Sequence, residues 1–306
     1  LWTSLTLTIG LTTLLWGAFS ALRQTDLKAL LAYSTISQLG LILSLYGLST
    51  PLGNFAATVH LVNHAAFKAT LFFVTGMIDH ATGTRDVRLL SGLRHAMPVS
   101  FVLAIVAALA MAGVPPLGGF ISKELFFETM LELGTVPTTI AVIGSIFTFA
   151  YSFKFLSVFL GKLNAPEPEK LHEAAPQLWG TVVPLAVAAL AFGVLPNTAE
   201  TLARTAETAL GFDGLDKYLS LWYGLNLALG LSALGNGGRG WLWTFALAFG
   251  SAHDHRNYSA RVRSDCFTPG RGSGRSVVGE RCDFSDHLHR TYRLWHGGDV
   301  PSHARP

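Results

Sequence analysis

His60, His64 and Lys68 follow one another at steps of four residues inside the oily run VHLVNHAAFKATLFFVTG, residues 59–76. On a helix, each step of four advances a side chain by only about 40° around the axis. The three ionisable groups therefore share one face, with Asn63 close to it, while Val59, Leu61, Val62, Phe72 and Phe73 fill the rest of the circumference. A lone histidine in such a run reads as a polar group that bonds a neighbouring helix. Three titratable groups aligned at mid-helix read as a proton path: histidine exchanges protons near neutral pH, and burial disfavours a charged ammonium, so a buried lysine can exchange one too. Zinc on the HxxxH pair fits less well, because Lys68 extends the same face with a positive charge and no HExxH glutamate is present.

A second group lies in MAGVPPLGGFISKELFFETML, residues 111–131. Pro115, Pro116, Gly118 and Gly119 predict a broken helix at mid-membrane, of the kind that brings free backbone groups and half-helix ends to an ion site. Lys123 follows the break, near the N-terminus of the second half-helix, where the helix dipole disfavours a positive charge. Glu124 is next to it and Glu128 one turn on, and either can restore the charged form. Together these residues make a switchable proton carrier. The competing reading is that Lys123 snorkels to an interface.

Such residues need helices to hold them, and the composition says where those helices lie. Half of the 306 residues are hydrophobic and 13% are charged, and mean hydropathy is +0.41. A soluble domain carries about 25% charged residues, so the chain reads as a membrane protein. Runs at 1–22, 29–49, 55–78, 96–121 (its apolar character resuming to 131), 133–153 and 174–199 are long enough to span; 218–238 is a weaker candidate, and 240–252 is short. No strand alternation appears, so the spans are predicted as helices. The fold class is all-α, a polytopic transmembrane helix bundle with a broken helix near Pro115–Gly119. Loops 23–28, 79–95 and 161–173 hold seven Lys or Arg, against two in the alternating loops at 50–54, 134–138 and 200–217. The positive-inside rule places the first three in the cytoplasm.

Smaller polar features accompany these runs. Lys28 and Asp26 read as an interfacial pair at the mouth of the second span, and Tyr33, Ser34, Ser37 and Gln38 continue inward as a polar stripe that can bond across helices or hold water. Lys154 sits near the cytoplasmic end of its span and reads as snorkelling. Asp79 and His80 end the key helix, with His80 placed to pass protons on.

The end of the chain is different. Residues 251–306 have no apolar periodicity and hold nine Arg, six acids, six of the eleven His and no Lys. Removing them from totals of 22 basic and 19 acidic residues leaves 13 of each. The body is thus neutral, which argues against nucleic acid as a partner. The tail, from 236 to 306, reads as a disordered basic extension or as frame-shifted translation. Cys266 and Cys282 lie within it without a CxxC, so no metal is assigned to them. The start at Leu1, without Met or a charged signal region, reads as the interior of a longer chain. No cysteine cluster or axial-ligand pattern in the body implies a redox centre or other cofactor.

Several segments resemble a known family. TDLKALLAYSTISQLGLIL, HLVNHAAFKATLFFVTG and AGVPPLGGFISKE are similar to the antiporter-like membrane subunits shared by NADH:quinone oxidoreductase and the Mrp-type cation/proton antiporters. GMIDHATGTRDVRLLSGL, GFISKELFFETML and LWYGLN (221–226) look most like the A subunit of Mrp, also called Mnh or Sha. The resemblance covers residues 1–235. It implies a bundle built from two inverted five-helix repeats, of which this chain holds the second, and it matches the family's proton path to Lys68, His60, His64 and Lys123. It implies Na⁺ and H⁺ as the transported ions, other subunits of a hetero-oligomeric Mrp complex as partners, and the bacterial inner membrane as location. The expected proton pathway comprises Lys28, His60, His64, Lys68, Lys123 and Glu124. The alternatives are a proton-pumping subunit of NADH:quinone oxidoreductase and a non-transporting scaffold fragment.

Overall fold

Short connections, prolines and left-handed glycines punctuate the chain into helices. The structure is a computed structural model that describes residues 1–166, 169, 171–209 and 219. In order, α1 is Trp2–Arg23, α2 Leu27–Tyr46, α3 Pro51–Thr82, α4 Pro98–Ala112, α5 Gly118–Leu133, α6 Thr135–Leu156, α7 Pro176–Val194 and α8 Pro196–Ala209. Single 3₁₀ turns lie at Leu93–His95 and Ser157–Phe159. Among the described residues there is no strand, and the polytopic helical bundle is as expected. Among them, five helices, at 2–23, 27–46, 51–82, 135–159 and 176–194, are long and apolar enough to cross a membrane.

The first two helices form a hairpin packed backbone to backbone. A Cβ on Gly40 would stand 2.6 Å from Leu14 N, and one on Gly10 2.7 Å from Gly40 O. Small residues are the general means of close helix approach in lipid. α3 starts cleanly, with Thr50 Oγ1 accepting from Gly53 N at 3.1 Å and Pro51 in the first turn, and ends at Gly83 in the left-handed region (φ 68°). Its 32 residues span about 48 Å, well beyond a hydrocarbon core of about 30 Å. α3 packs against α2, α4, α5, α7 and α8, which makes it the central post.

The broken helix forms where the prolines and glycines put it. α4 ends at Ala112, and Gly113 turns the chain with φ 78°. Prolines at 115 and 116, joined by a cis peptide bond, have no amide hydrogen to continue the ladder, and α5 begins at Gly118. The bare face of Gly119 lies on the Ala110 carbonyl, and Gly193 of α7 lies on the Pro116 carbonyl, so the break is clamped on two sides.

Two expectations are corrected. The apolar run 174–199 is two helices, because Pro196 cannot extend α7 and instead opens α8. The stretch read as a loop at 200–217 accordingly begins as helix. There Arg204 pairs with Glu200 at 2.9 Å and lies 5.8 Å over the Phe55 ring. The weaker span at 218–238, the LWYGLN segment and the tail from 236 lie outside the described residues.

The three loops grouped by their positive charge come together. Asp26 meets Arg85 at 3.0 Å, and Val87 N donates to Thr25 O at 2.9 Å. Ser91 and Asn164 exchange backbone hydrogen bonds of 3.0 and 2.9 Å. Glu173 then reaches Val99 N and Ser100 N, at 2.7 and 3.2 Å. Loops 23–28, 79–95 and 161–173 thus share one end of the bundle, the same-side grouping that the charge tally requires.

Candidate functional site

The polar face of α3 is buried at His60, His64 and Lys68. His60, Lys68 and Lys123 keep 4% or less of their exposure, and His64 keeps 7%. Burial of that degree removes the snorkelling option for Lys123 and leaves each polar atom to find a partner inside the protein.

His60 is held between two helices. Its Nε2 lies 2.8 Å from Gln38 Oε1 on α2, and its Nδ1 lies 2.9 Å from Ser122 Oγ on α5. Gln38 Nε2 in turn donates to the Tyr151 hydroxyl of α6 at 2.9 Å. One turn on, His64 stands edge-on to Phe67 with ring centroids 5.5 Å apart. Its Nε2 is buried, and so is Asn63 Oδ1, which faces Gly118 at the break. Another turn on, Lys68 Nζ donates to Ser34 Oγ and to the Leu31 carbonyl at 3.3 Å, both on α2. The carbonyl of Leu31 also accepts from Ser34 and Thr35 hydroxyls, each at 2.9 Å, so several donors converge on it.

Lys123 has the opposite surroundings from those its sequence position suggests. The N-terminal turn of α5 opposes its charge, but its side chain reaches back across the break to the last carbonyl of α4. Nζ donates to Ala112 O at 2.6 Å, and the stem packs on Gly113. A helix C-terminus carries the negative end of the dipole and leaves its last carbonyls without amide partners, so a lysine is the fitting cap there. Glu124 is buried on the adjoining face of α5, and Glu128 is half-buried a turn on.

The structure brings together His60, His64, Lys68 and Lys123, on α3 and on the broken helix against it. It does not bring Lys28 to them. Lys28 is exposed in the first turn of α2, and its expected partner Asp26 is taken by two other tasks: capping Ala29 N at 2.8 Å and pairing with Arg85. His80 is exposed and lines an open, mostly apolar cavity of about 490 Å³ with Phe72, Phe73 and Leu178. In the stripe on α2, Ser34, Ser37 and Gln38 are buried, while Tyr33 is exposed. Lys154 is half-buried at the end of α6, and its Nζ donates to Leu22 O in the last turn of α1 at 2.6 Å.

Sequence reasoning passes over Ser122, Tyr151 and Thr148. A signal for the last two exists. Within the charge-free run 133–153, Ser145, Thr148, Tyr151 and Ser152 recur at helical spacing, and all are buried. Ser122 gives no such signal, since its role depends on a histidine 62 positions earlier.

Comparison with known proteins identifies the family. Residues 1–148 match the family model described as NADH:quinone oxidoreductase/Mrp antiporter, TM. The A/B subunit of a probable K(+)/H(+) antiporter of Rhizobium meliloti (strain 1021) is 47% identical over 232 residues, 73% of this chain and 23% of that protein. The A1 subunit of a Na(+)/H(+) antiporter of Staphylococcus haemolyticus (strain JCSC1435) is 42% identical over 249 residues, 72% of this chain and 31% of that one. The structure of the Mrp complex from Dietzia sp. DQ12-45-1b contains a chain that superposes with a TM-score of 0.70 at 29% identity, covering 100% of this chain and 36% of that one. The chain therefore spans about a quarter to a third of the length of these relatives. With its fold and its sequence in agreement, this multi-pass membrane chain belongs to the antiporter-like membrane family shared by NADH:quinone oxidoreductase and the Mrp antiporters.

Proposed function

We propose that the chain is a membrane subunit of a multi-subunit monovalent cation/proton antiporter, and that His60, His64, Lys68 and Lys123 carry its protons. The observation that supports this most is the burial of four ionisable side chains in one connected region of helices, with bonds from Lys68 to α2 and from Lys123 to α4. Ionisable groups at such depth are costly and by default mark a functional site. Glu124, buried beside Lys123, is the acidic member of the set.

The cation is Na⁺ or K⁺, the two ions named in the relatives' descriptions, and Na⁺ is the one proposed. The partners are other subunits of an Mrp-type complex, and the setting is a bacterial inner membrane. Residues 1–235 form the antiporter-like domain, and 236–306 are a separate tail. The chain is a transporter component rather than an enzyme.

The same proton chemistry would suit a respiratory subunit, which the family description also covers. One experiment separates the two. Lys68→Ala and Lys123→Ala are placed in the assembled complex in membrane vesicles, and proton movement on adding Na⁺ or K⁺ is followed with a pH-sensitive dye. Loss of the cation-driven signal in both variants supports the antiporter. Intact cation exchange with loss of quinone-linked pumping supports the respiratory subunit. No change in either measurement removes both.

A further inference from the structure

The hydrogen bonds around His60 have a direction, and it can be read from the far end. Thr148 Oγ1 donates to the Gly144 carbonyl at 2.9 Å, so toward its other neighbours it can only accept. The Tyr151 hydroxyl supplies one hydrogen at 3.2 Å, and Gln38 Nε2 approaches at 3.4 Å. Gln38 Nε2 also donates to the Tyr151 oxygen at 2.9 Å. With its nitrogen held on α6, the amide turns Oε1 to His60 Nε2, 2.8 Å away. A carboxamide oxygen accepts and never donates, so His60 Nε2 carries a hydrogen and Nδ1 of the neutral ring is bare.

Only Ser122 faces that bare nitrogen among the described hydrogen bonds. Its Oγ lies 2.9 Å from His60 Nδ1 and 3.1 Å from the Gly119 carbonyl in the first turn of α5. A hydroxyl has one hydrogen and two acceptor positions, so it can serve either neighbour by rotation.

We propose that Ser122 is the proton gate of His60, its hydroxyl hydrogen pointing to Nδ1 when the ring is neutral and to the Gly119 carbonyl when Nδ1 is protonated, while Gln38, held by Tyr151, keeps the Nε2 hydrogen in place. The proposal deepens the proton role given to His60 above and rests on it. On loading, an ammonium or hydronium on the α5 side gives its proton to Ser122 Oγ as the serine passes its own hydrogen to Nδ1. One Oγ–H bond breaks and another forms, one Nδ1–H bond forms, and the imidazole gains the single proton that the donor loses. Release reverses each step, and no electron changes hands. Protons then enter and leave His60 from the side of the broken helix and not from α2. His64 on α3 and Lys123 on α5 are the titratable neighbours of the ring. Gln38 and Tyr151 are positioning residues.

The test uses the chain in its assembled complex with ¹⁵N-labelled histidine, the His60 signals being identified by their loss in His60→Gln. The wild type at alkaline pH should show a protonated Nε2 and a bare Nδ1. Gln38→Leu should lose that preference and give a mixture of tautomers. Ser122→Ala should keep the tautomer but slow cation-driven proton flux about a hundredfold, the lower range for a positioned proton-transfer group. Ser122→Thr, which keeps the hydroxyl, should restore most of the rate. A His60 protonated on Nδ1 in the wild type overturns the proposal, as does Ser122→Ala transporting at the wild-type rate. A wild-type complex that moves no protons defeats the function proposed above, and the tautomer measurement still decides this one.

Discussion

Lys123 of α5 donates to the carbonyl oxygen of Ala112, the last residue of α4, at 2.6 Å. One side chain thus closes the gap that Pro115 and Pro116 open. Lys123→Met keeps the bulk and loses the bond, leaving a buried carbonyl without its donor. The expected loss is about 1 kcal/mol of stability, typical for a net hydrogen bond, together with loss of cation-driven proton flux. Thermal unfolding of the purified complex measures the first, and vesicle assays the second.

Gly113 tests whether the position of Lys123 matters as much as its presence. With φ at 78° an added Cβ costs about 1–2 kcal/mol by itself. It would also stand 2.5 Å from Lys123 Cδ. Gly113→Ala should therefore displace the lysine and depress transport. Gly83→Ala is the control, since it carries similar backbone strain (φ 68°) with nothing within 4 Å. It should lose stability and keep transport. Equal transport losses in the two variants would contradict the assignment.

Asp26 separates capping from charge. Asn caps a helix about as well as Asp, while Ala loses about 1 kcal/mol. The ion pair with Arg85 involves side chains that are 37% and 40% exposed, and pairs of that kind contribute between about 0 and 1 kcal/mol. Asp26→Asn should therefore be close to neutral in unfolding experiments, and Asp26→Ala should be clearly destabilising. The reverse order would mean that the ion pair dominates.

Glu173 caps a helix it does not belong to. Met97 offers α4 no side-chain cap. The carboxylate of Glu173 instead accepts from Val99 N, from Ser100 N and, at 2.6 Å, from Ser100 Oγ. A negative charge at a helix N-terminus is favourable, and an uncapped one costs about 0.5–2 kcal/mol. Glu173→Ala should lower the unfolding temperature of the complex while leaving the transport rate of the folded protein near wild type. Hydrogen exchange should locate the loosening in the first turn of α4.

The legible part of the site is the part written within one helix. The four-residue steps of His60, His64 and Lys68 hold on α3, and Pro115, Pro116, Gly118 and Gly119 mark the break where it occurs. The illegible part is written between helices. The sequence exposes Lys123 only to the dipole of its own helix, yet its partner belongs to the helix before it. Lys154 reads as snorkelling because nothing near it in sequence shows the bare carbonyl of Leu22, 132 positions earlier. Lys28 suggests itself for the path by its type and its neighbour Asp26. That aspartate, however, is engaged by the start of α2 and by Arg85, and the lysine turns outward. Polar spacing within a helix marks a face as buried, and only the fold shows what that face meets.

The length of α3 has an electrical meaning. His60 and Lys68 stand eight residues apart on an unbroken helix, which is about 12 Å of rise. In a hydrocarbon layer of about 30 Å, that is roughly two fifths of the thickness. A proton carried between the two would cross a similar share of the membrane voltage, worth about 0.9 kcal/mol at 100 mV. The step from His60 to Ser122 covers only the 2.9 Å of one hydrogen bond between helices, at most about a tenth of that thickness. The short leg therefore feels little of the voltage, and the leg along α3 is the one that the voltage can help or oppose.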